Sequence, residues 1–330
     1  MAVRSADITY VIQGPICAST PTLIRSLVAH DREIPIVVST WVDQEFSDLQ
    51  ELVRELPQIT IVKSECPPAL DCGPERWFAN INRMIVSTRR GLEMVTTPFA
   101  LKLRSDTLVD SLRLSHHSLV GGSQLLCQDF VSAYEYDKSS SRDSRIVMCW
   151  SLTHYPFFAY YISDWFHFGR TDQLLRLWSL PLASQADAAY FEQRPMVKSF
   201  FAHFGQYQST DFYARFHSEQ YLCLKYLERM GEKIDFDHRN DWSICKLSDS
   251  YAFLAKYFVV VDRGSIPFIL PTHPARSRFG SLLLFRVAGG ITSGWVRCVF
   301  LFGVYLIYAH VRVLRALIQR FKFLVNNKRS

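Results

Sequence analysis

No run of uncharged apolar residues in this 330-residue chain reaches the roughly 20 that a bilayer span needs; the longest, Cys298 to Ala309, stops well short. A spanning helix is therefore not expected. The eight cysteines include no C-x-x-C pair, and their spacing matches neither a zinc ribbon nor a small disulfide framework. Reduced thiols in a cytosolic compartment are expected instead. There is no G-x-S-x-G, and no cysteine has neighbours that mark an activated thiolate, which removes nucleophilic hydrolases. Gln13-Gly14-Pro15 is followed by no further glycine at dinucleotide-fingerprint spacing, so NAD and FAD are poor ligands for it. Ten histidines show no H-x-x-x-H spacing. Residues 263–330 hold eleven Lys and Arg and no Asp or Glu, so with a net charge of +6 overall the first 262 residues carry −5. A basic, apolar tail behind an acidic body speaks for a membrane surface and against nucleic acid as partner.

What is present is globular: 48% hydrophobic and 21% charged residues, with 14 Gly and 14 Pro. Met1 to Asp7 leads directly into the strand-like run Ile8 to Ile12, without the basic and apolar regions of a secretory leader. Ile34 to Ser39, Ile59 to Val62 and Phe99 to Leu103 also read as buried strands. Helical stretches alternate with them at Thr22 to Ala29, Gln44 to Glu55 and Trp77 to Met94, the last with Ile81, Met84, Ile85 and Leu92 on one face. That alternation predicts an α/β fold with a doubly wound, mostly parallel sheet and helices on both faces. Further helices are expected at Thr171 to Trp178, Ser218 to Met230 and Ser248 to Tyr257, in a second half that completes the same domain.

Ligands of such sheets sit outside the carboxyl ends of the strands. Polar residues that a core does not require fall there: Gln13, Gly14 and Pro15 after the first strand, and Ser39, Thr40 and Trp41 after the second. Alternation along the Phe99 strand places Lys102, Arg104 and Asp106 on one face. Two cations and a carboxylate suit a phosphate-containing ligand with or without a divalent cation; a local salt bridge is the plainer alternative. Asn80, Asn82 and Arg83 open the long helix, where backbone N–H groups favour an anion.

In these blocks the sequence resembles the WavE lipopolysaccharide synthesis family, which is similar to the GT-A glycosyltransferases. The resemblance rests on Ile8 to Ile16, Val37 to Trp41, Asn80 to Arg83 with Ser87-Thr88 and Gly91-Leu92, and Ala100 to Asp106. Later matches are Ser163-Asp164, Phe168-Gly169, Glu219-Gln220-Tyr221 and Ser248-Asp249. Ser105 stands where Thr is usual, Asp249 where Glu is usual, and Ala255-Lys256 replace an Asn pair. The resemblance implies transfer of a sugar from a nucleotide-sugar donor, hexosyltransferase-like, to a lipopolysaccharide, capsule or related glycan acceptor. It also implies a donor site at Gln13, Gly14, Pro15, Ser39, Thr40, Trp41, Asn80, Asn82, Arg83, Lys102, Arg104 and Asp106.

GT-A enzymes generally hold the donor diphosphate through a metal on an Asp-x-Asp motif. Here the triplet is Arg104-Ser105-Asp106. Either Asp106 alone binds Mg²⁺ or Mn²⁺, which is the expectation adopted, or Arg104 and Lys102 neutralise the leaving group without metal. A literal Asp-x-Asp at Asp235-Phe236-Asp237 is of the frequency expected by chance. Glu219, at a helix start, is the expected base that takes the acceptor proton, with Asp164 in its aromatic segment as the second candidate. The plainer readings are an N-cap at Ser218 and a turn at Asp164.

Residues 1–265 are expected to form the catalytic domain, 266–278 a linker, and 279–330 a basic amphipathic tail that lies on anionic lipid at the cytoplasmic face of the inner membrane. Packing of Phe279 to Ala309 against the domain is the alternative for the tail. A non-catalytic, membrane-tethered glycan-binding or scaffold protein is the alternative for the whole.

Overall fold

The computed structural model describes residues 5–44, 47–76, 78–110, 145–149, 158–194, 212–241, 243–261, 268–269 and 291–304. The first half runs β1 (Ile8–Gln13), α1 (Ser19–His30), β2 (Ile36–Trp41), α2 (Ser47–Glu55), β3 (Ile59–Ser64), α3 (Ile81–Glu93), β4 (Phe99–Arg104) and the short β5 (Leu108–Val109). The second half adds β6 (Ile146–Cys149), β7 (Phe166–Arg170), α4 (Thr171–Trp178), α5 (Gln185–Ala188), α6 (Ser218–Arg229), α7 (Ile244–Tyr257), β8 (Phe258–Val261) and β9 (Phe268–Ile269). Seven strands make one sheet in the order β3-β2-β1-β4-β7-β6-β8, and β5 pairs with β9 apart from it. Four of its six pairings are parallel; β7 is antiparallel to both β4 and β6. The expected α/β class with a mostly parallel sheet is thus what the chain forms.

β1 and β2 are buried at every position because helices cover the sheet on both sides. Alternation divides their side chains between two cores. Tyr10, Ile12, Leu101 and Leu103 pack with Leu23, Ile24 and Leu27 of α1. Val11, Val37 and Ala100 pack with Ile81, Ile85 and Leu92 of α3, and that core continues through Trp178 into α6 and α7. Element edges shift modestly from the sequence reading: β2 ends at Trp41 and not Ser39, and α3 starts at Ile81 and not Trp77. α7 starts at Ile244, four residues before Ser248, because the Ser243 hydroxyl accepts from the Lys246 N–H and caps it there.

Most of the linker and tail, including 270–290 and 305–330, lies outside the described residues, as do His116-His117 and Ser139 to Ser141. Within the stretch expected to leave the domain, a helix over 294–304 packs on it instead. Arg297 donates to the Ser248 carbonyl at 3.1 Å, and Leu301 is fully buried in the α3-side core. The reason is amphipathicity, since the opposite face leaves Trp295, Val296, Val299 and Phe302 exposed. Cys298 and Cys245 bring their sulfurs to 4.0 Å across this junction. Among the described residues no helix is long and apolar enough to cross a membrane.

Gly91 sets how closely α3 approaches the sheet. A Cβ there would stand 2.6 Å from Val11 Cγ1 and 2.9 Å from Ser39 Cβ, both fixed inside buried strands. Gly91→Ala should therefore destabilise the fold by about 1–3 kcal/mol through overpacking. A urea denaturation midpoint equal to that of the unchanged protein would refute this placement of α3.

Candidate functional site

Parallel register puts Gln13 beside Ser39 on one side and Arg104 on the other, so three strand ends share one rim. Gly14 follows at φ +120°, a conformation that glycine adopts without strain, and its N–H donates to the Ser39 carbonyl at 3.1 Å. A side chain there would come within 2.9 Å of Ser105 Oγ. Ser105 ties the loops together: its N–H donates to the Gln13 carbonyl at 2.9 Å, and its hydroxyl donates to that of Pro15 at 2.6 Å. Gln44 latches the other side, its Oε1 accepting from the Ile16 N–H at 2.8 Å and the Thr40 hydroxyl at 2.6 Å. Between these loops lies a cleft of about 500 Å³.

The cleft wall contains Gln13, Gly14, Pro15 and Trp41 from the first two strand ends, as the sequence led one to expect. Asn80 and Arg83 face it from the start of α3, and Arg104, Asp106 and Asp164 close its charged end. Three expected donor contacts do not reach it. The Ser39 hydroxyl is buried and donates to the Ser87 carbonyl at 2.7 Å, and Thr40 is spent on Gln44. Asn82 is buried beneath α3, where it accepts from the Ala183 N–H at 2.7 Å and donates to the Ala183 carbonyl at 3.0 Å. It fastens a distant loop and is not a donor contact.

Lys102 is the fourth correction. It shares a face with Arg104, but α4 covers that face and leaves Lys102 with no exposed surface. Its ammonium donates to the Asp164 carbonyl and lies 4.7 Å from the Trp178 ring centroid. Burial pulls its pKa down to about 7, against the opposing pull of the Asp164 carboxylate. Lys102 holds the floor of the site and does not line it.

Arg104 is clamped. Its Nε donates to Asp106 Oδ1 at 3.0 Å and its Nη2 to Oδ2 at 2.7 Å, while Nη1 stands 3.4 Å from Asp164 Oδ2. Burial alone would ease its proton off, but Asp164 and then Asp106 hold the guanidinium firmly charged. Burial would likewise raise the Asp164 carboxyl, yet Arg104, Lys102 and His167 keep it below the usual carboxylate range. Glu219 goes the other way: burial, then the Asp164 charge, push it up to about 7, although a Tyr161 hydrogen bond and Arg104 oppose the rise. Two carboxyl groups in one neighbourhood are thereby driven apart.

The start of α6 differs from the plainer reading of an N-cap at Ser218. His217 is the capping residue, and the Gln220 side chain returns to accept from its N–H at 3.2 Å. Glu219 sits in the first turn outside that reciprocal cap, its carboxyl also within hydrogen-bond reach of its own backbone N–H. Tyr160, which no sequence signal marked, sits at φ 55° with its N–H donating to the Ser250 hydroxyl at 2.6 Å. That strained turn delivers Tyr161 to Glu219. Gln44, Ser87 and Ser105 were also missed as site residues; only Ser87 and Ser105 carried a signal, as members of the matching blocks.

The residues present do not fit a divalent cation. Both Asp106 oxygens already accept from Arg104, so a divalent cation on their remaining lone pairs would face that guanidinium's positive charge across one small carboxylate. Among the described residues, no group of three His, Cys, Asp or Glu side chains converges as a metal cage. Asp235 and Asp237 offer none either. Asp237 is held by Arg215 at 2.5 Å and Tyr190 at 3.0 Å, and Asp235, 94% exposed, stands 3.3 Å from Lys246.

A mostly parallel sheet with a charged cleft over the carboxyl ends of β1, β2 and β4 defines a ligand-binding α/β protein. The chain belongs to the WavE lipopolysaccharide synthesis family, whose model matches residues 8–275. No curated protein matches it. Among solved structures, one similar chain is a glycosyltransferase involved in the glycosylation of the major capsid of PBCV-1, at 12% identity and a TM-score of 0.35, covering 83% of this chain and 97% of that one. A cytidylyltransferase from Leptospira borgpetersenii serovar Hardjo-bovis is 13% identical at a TM-score of 0.29, over 57% of this chain and 69% of its own. A 4-diphosphocytidyl-2C-methyl-D-erythritol synthase from Anaerococcus prevotii is 10% identical, also at 0.29, over 58% and 85%.

Asn82→Ala separates fastening from ligand contact. Leaving both Ala183 backbone groups without their partner should cost about 1–3 kcal/mol of stability, with ligand affinity in the cleft unchanged. Loss of affinity at full stability would return Asn82 to the ligand site.

Proposed function

We propose that this protein is a nucleotide-sugar-dependent glycosyltransferase of lipopolysaccharide or related glycan assembly. The donor lies in the cleft over β1, β2 and β4, with Trp41, Asn80, Arg83 and Arg104 among its contacts, and the glycan or glycolipid acceptor approaches on the Glu219 side. The acceptor oxygen attacks the anomeric carbon, the bond from that carbon to the phosphate oxygen breaks, and Glu219 takes the acceptor proton. One observation carries this reading: a carboxyl group whose pKa is pushed up to about 7 lies within electrostatic reach of Arg104, at the charged end of a cleft of about 500 Å³. Asp164, already paired with Arg104, suits charge stabilisation better than proton transfer.

The sign of the pH dependence follows. Glu219 must be unprotonated to act as base, so kcat/KM should rise with pH, tenfold per unit, up to about 7 and level off above it. Glu219→Gln should lower kcat on the order of 10²- to 10⁴-fold while leaving donor affinity nearly unchanged. Near-normal turnover in that variant would move the role to Asp164.

We further propose that the protein works on the cytoplasmic face of the inner membrane. Trp295, 76% exposed, and its neighbours Val296, Val299 and Phe302 form an apolar face on the docked helix over 294–304, directly before a tail rich in Lys and Arg. The full chain should sediment with phosphatidylglycerol-containing vesicles and the double variant Trp295→Ser, Phe302→Ser much less. Equal sedimentation of the two would remove this face from the contact.

A further inference from the structure

The cleft carries two guanidiniums, and neither is used up. Arg104 spends three of its five N–H groups on Asp106 and Asp164, which leaves one on each terminal nitrogen. Arg83 spends its Nε on the Pro67 carbonyl at 2.9 Å and one Nη1 hydrogen on Asn80 Oδ1 at 3.2 Å, which leaves three. Arg83 makes no ion pair among the described residues, so its charge is not locally cancelled. Both side chains face the same cleft. Meanwhile the one carboxylate that stands in the Arg-x-Asp triplet has both oxygens bound to Arg104.

We infer that the phosphate of the donor is held by Arg104 and Arg83 without a divalent cation. Asp106 is then a positioning residue. Its two oxygens hold the guanidinium plane, so that the remaining N–H pair is presented in a fixed geometry to phosphate oxygens. Arg83 supplies positive charge that no ion pair among the described residues cancels, and Arg104 supplies oriented N–H donors, where negative charge builds on the leaving phosphate. The inference rests on the cleft being a nucleotide-sugar site.

The test uses the full chain stripped with EDTA, with inorganic pyrophosphate and the 5′-diphosphates of uridine, guanosine and cytidine as probes in titration calorimetry. At least one probe should bind with the same affinity, within about twofold, in EDTA and in excess Mg²⁺ or Mn²⁺. Arg83→Gln and Arg104→Gln should each weaken that binding about tenfold or more; Arg83 stands outside the Asp106–Arg104–Asp164 ion-pair group, so its variant is read even where the Arg104 variant does not fold. Mn²⁺ alone should give no heat that Asp106→Asn abolishes. Binding that appears only with metal, or that neither arginine variant weakens, overturns the inference while leaving the nucleotide-sugar reading in place. Absence of binding by every probe under both conditions overturns that reading and the inference with it.

Discussion

The ion-pair group Asp106–Arg104–Asp164 is the interaction on which the rest of the site turns. It joins the end of β4 to the segment that leads into β7, two parts of the chain about sixty residues apart, and it fixes the charge state of its neighbours. With Arg104 held as a cation, Asp164 stays ionised, and with Asp164 ionised, Glu219 is pushed toward neutrality. Lys102 supports the same group from below through the Asp164 carbonyl. Because Lys102 and Asp164 are buried, their charges act on their neighbours more strongly than they would in water. Breaking the clamp would alter geometry and protonation together.

Around this group the fold supplies rigid placement. Gly14 and Gly91 mark two close approaches, one between neighbouring loops and one between a helix and the sheet. In both, the absence of a side chain lets backbone or hydroxyl groups meet directly, and in the first the positive φ adds a second requirement for glycine. The hydrogen bonds of Ser105 and Gln44 then tie loops that lie 28 and 90 residues apart. A ligand-binding rim built this way owes its shape to main-chain bonds more than to flexible side chains.

How much of this was legible in the sequence depends on how local the cause is. Strand periodicity and the polar residues at strand ends placed the sheet and one rim of the cleft, since both follow from a few adjacent residues. Alternation also put Lys102 and Arg104 on one face, correctly; it could not show that α4 lays Trp178 across that face and leaves only the strand-terminal cation clear of the helix. Asn82 misled for the same reason, its partner Ala183 lying 101 positions away. Asp106 read as a metal ligand because a sequence shows the loss of a first carboxylate but not that its replacement turns back to bind the second. Glu219 stands out in the sequence by residue type and position, while the groups that act on its protonation, Asp164 and Tyr161, come from another part of the chain.

The helix over 294–304 gives the molecule a short mechanical path between its outer face and its chemistry. Arg297 grips the Ser248 carbonyl, and two positions further along the same helix α7 the Ser250 hydroxyl receives the Tyr160 N–H. The next residue, Tyr161, touches Glu219. Arg297 is thus two hydrogen bonds and two residues of one helix away from the turn that carries the Glu219 partner. Whatever surface that helix rests on, its orientation and that of the cleft are one rigid-body choice.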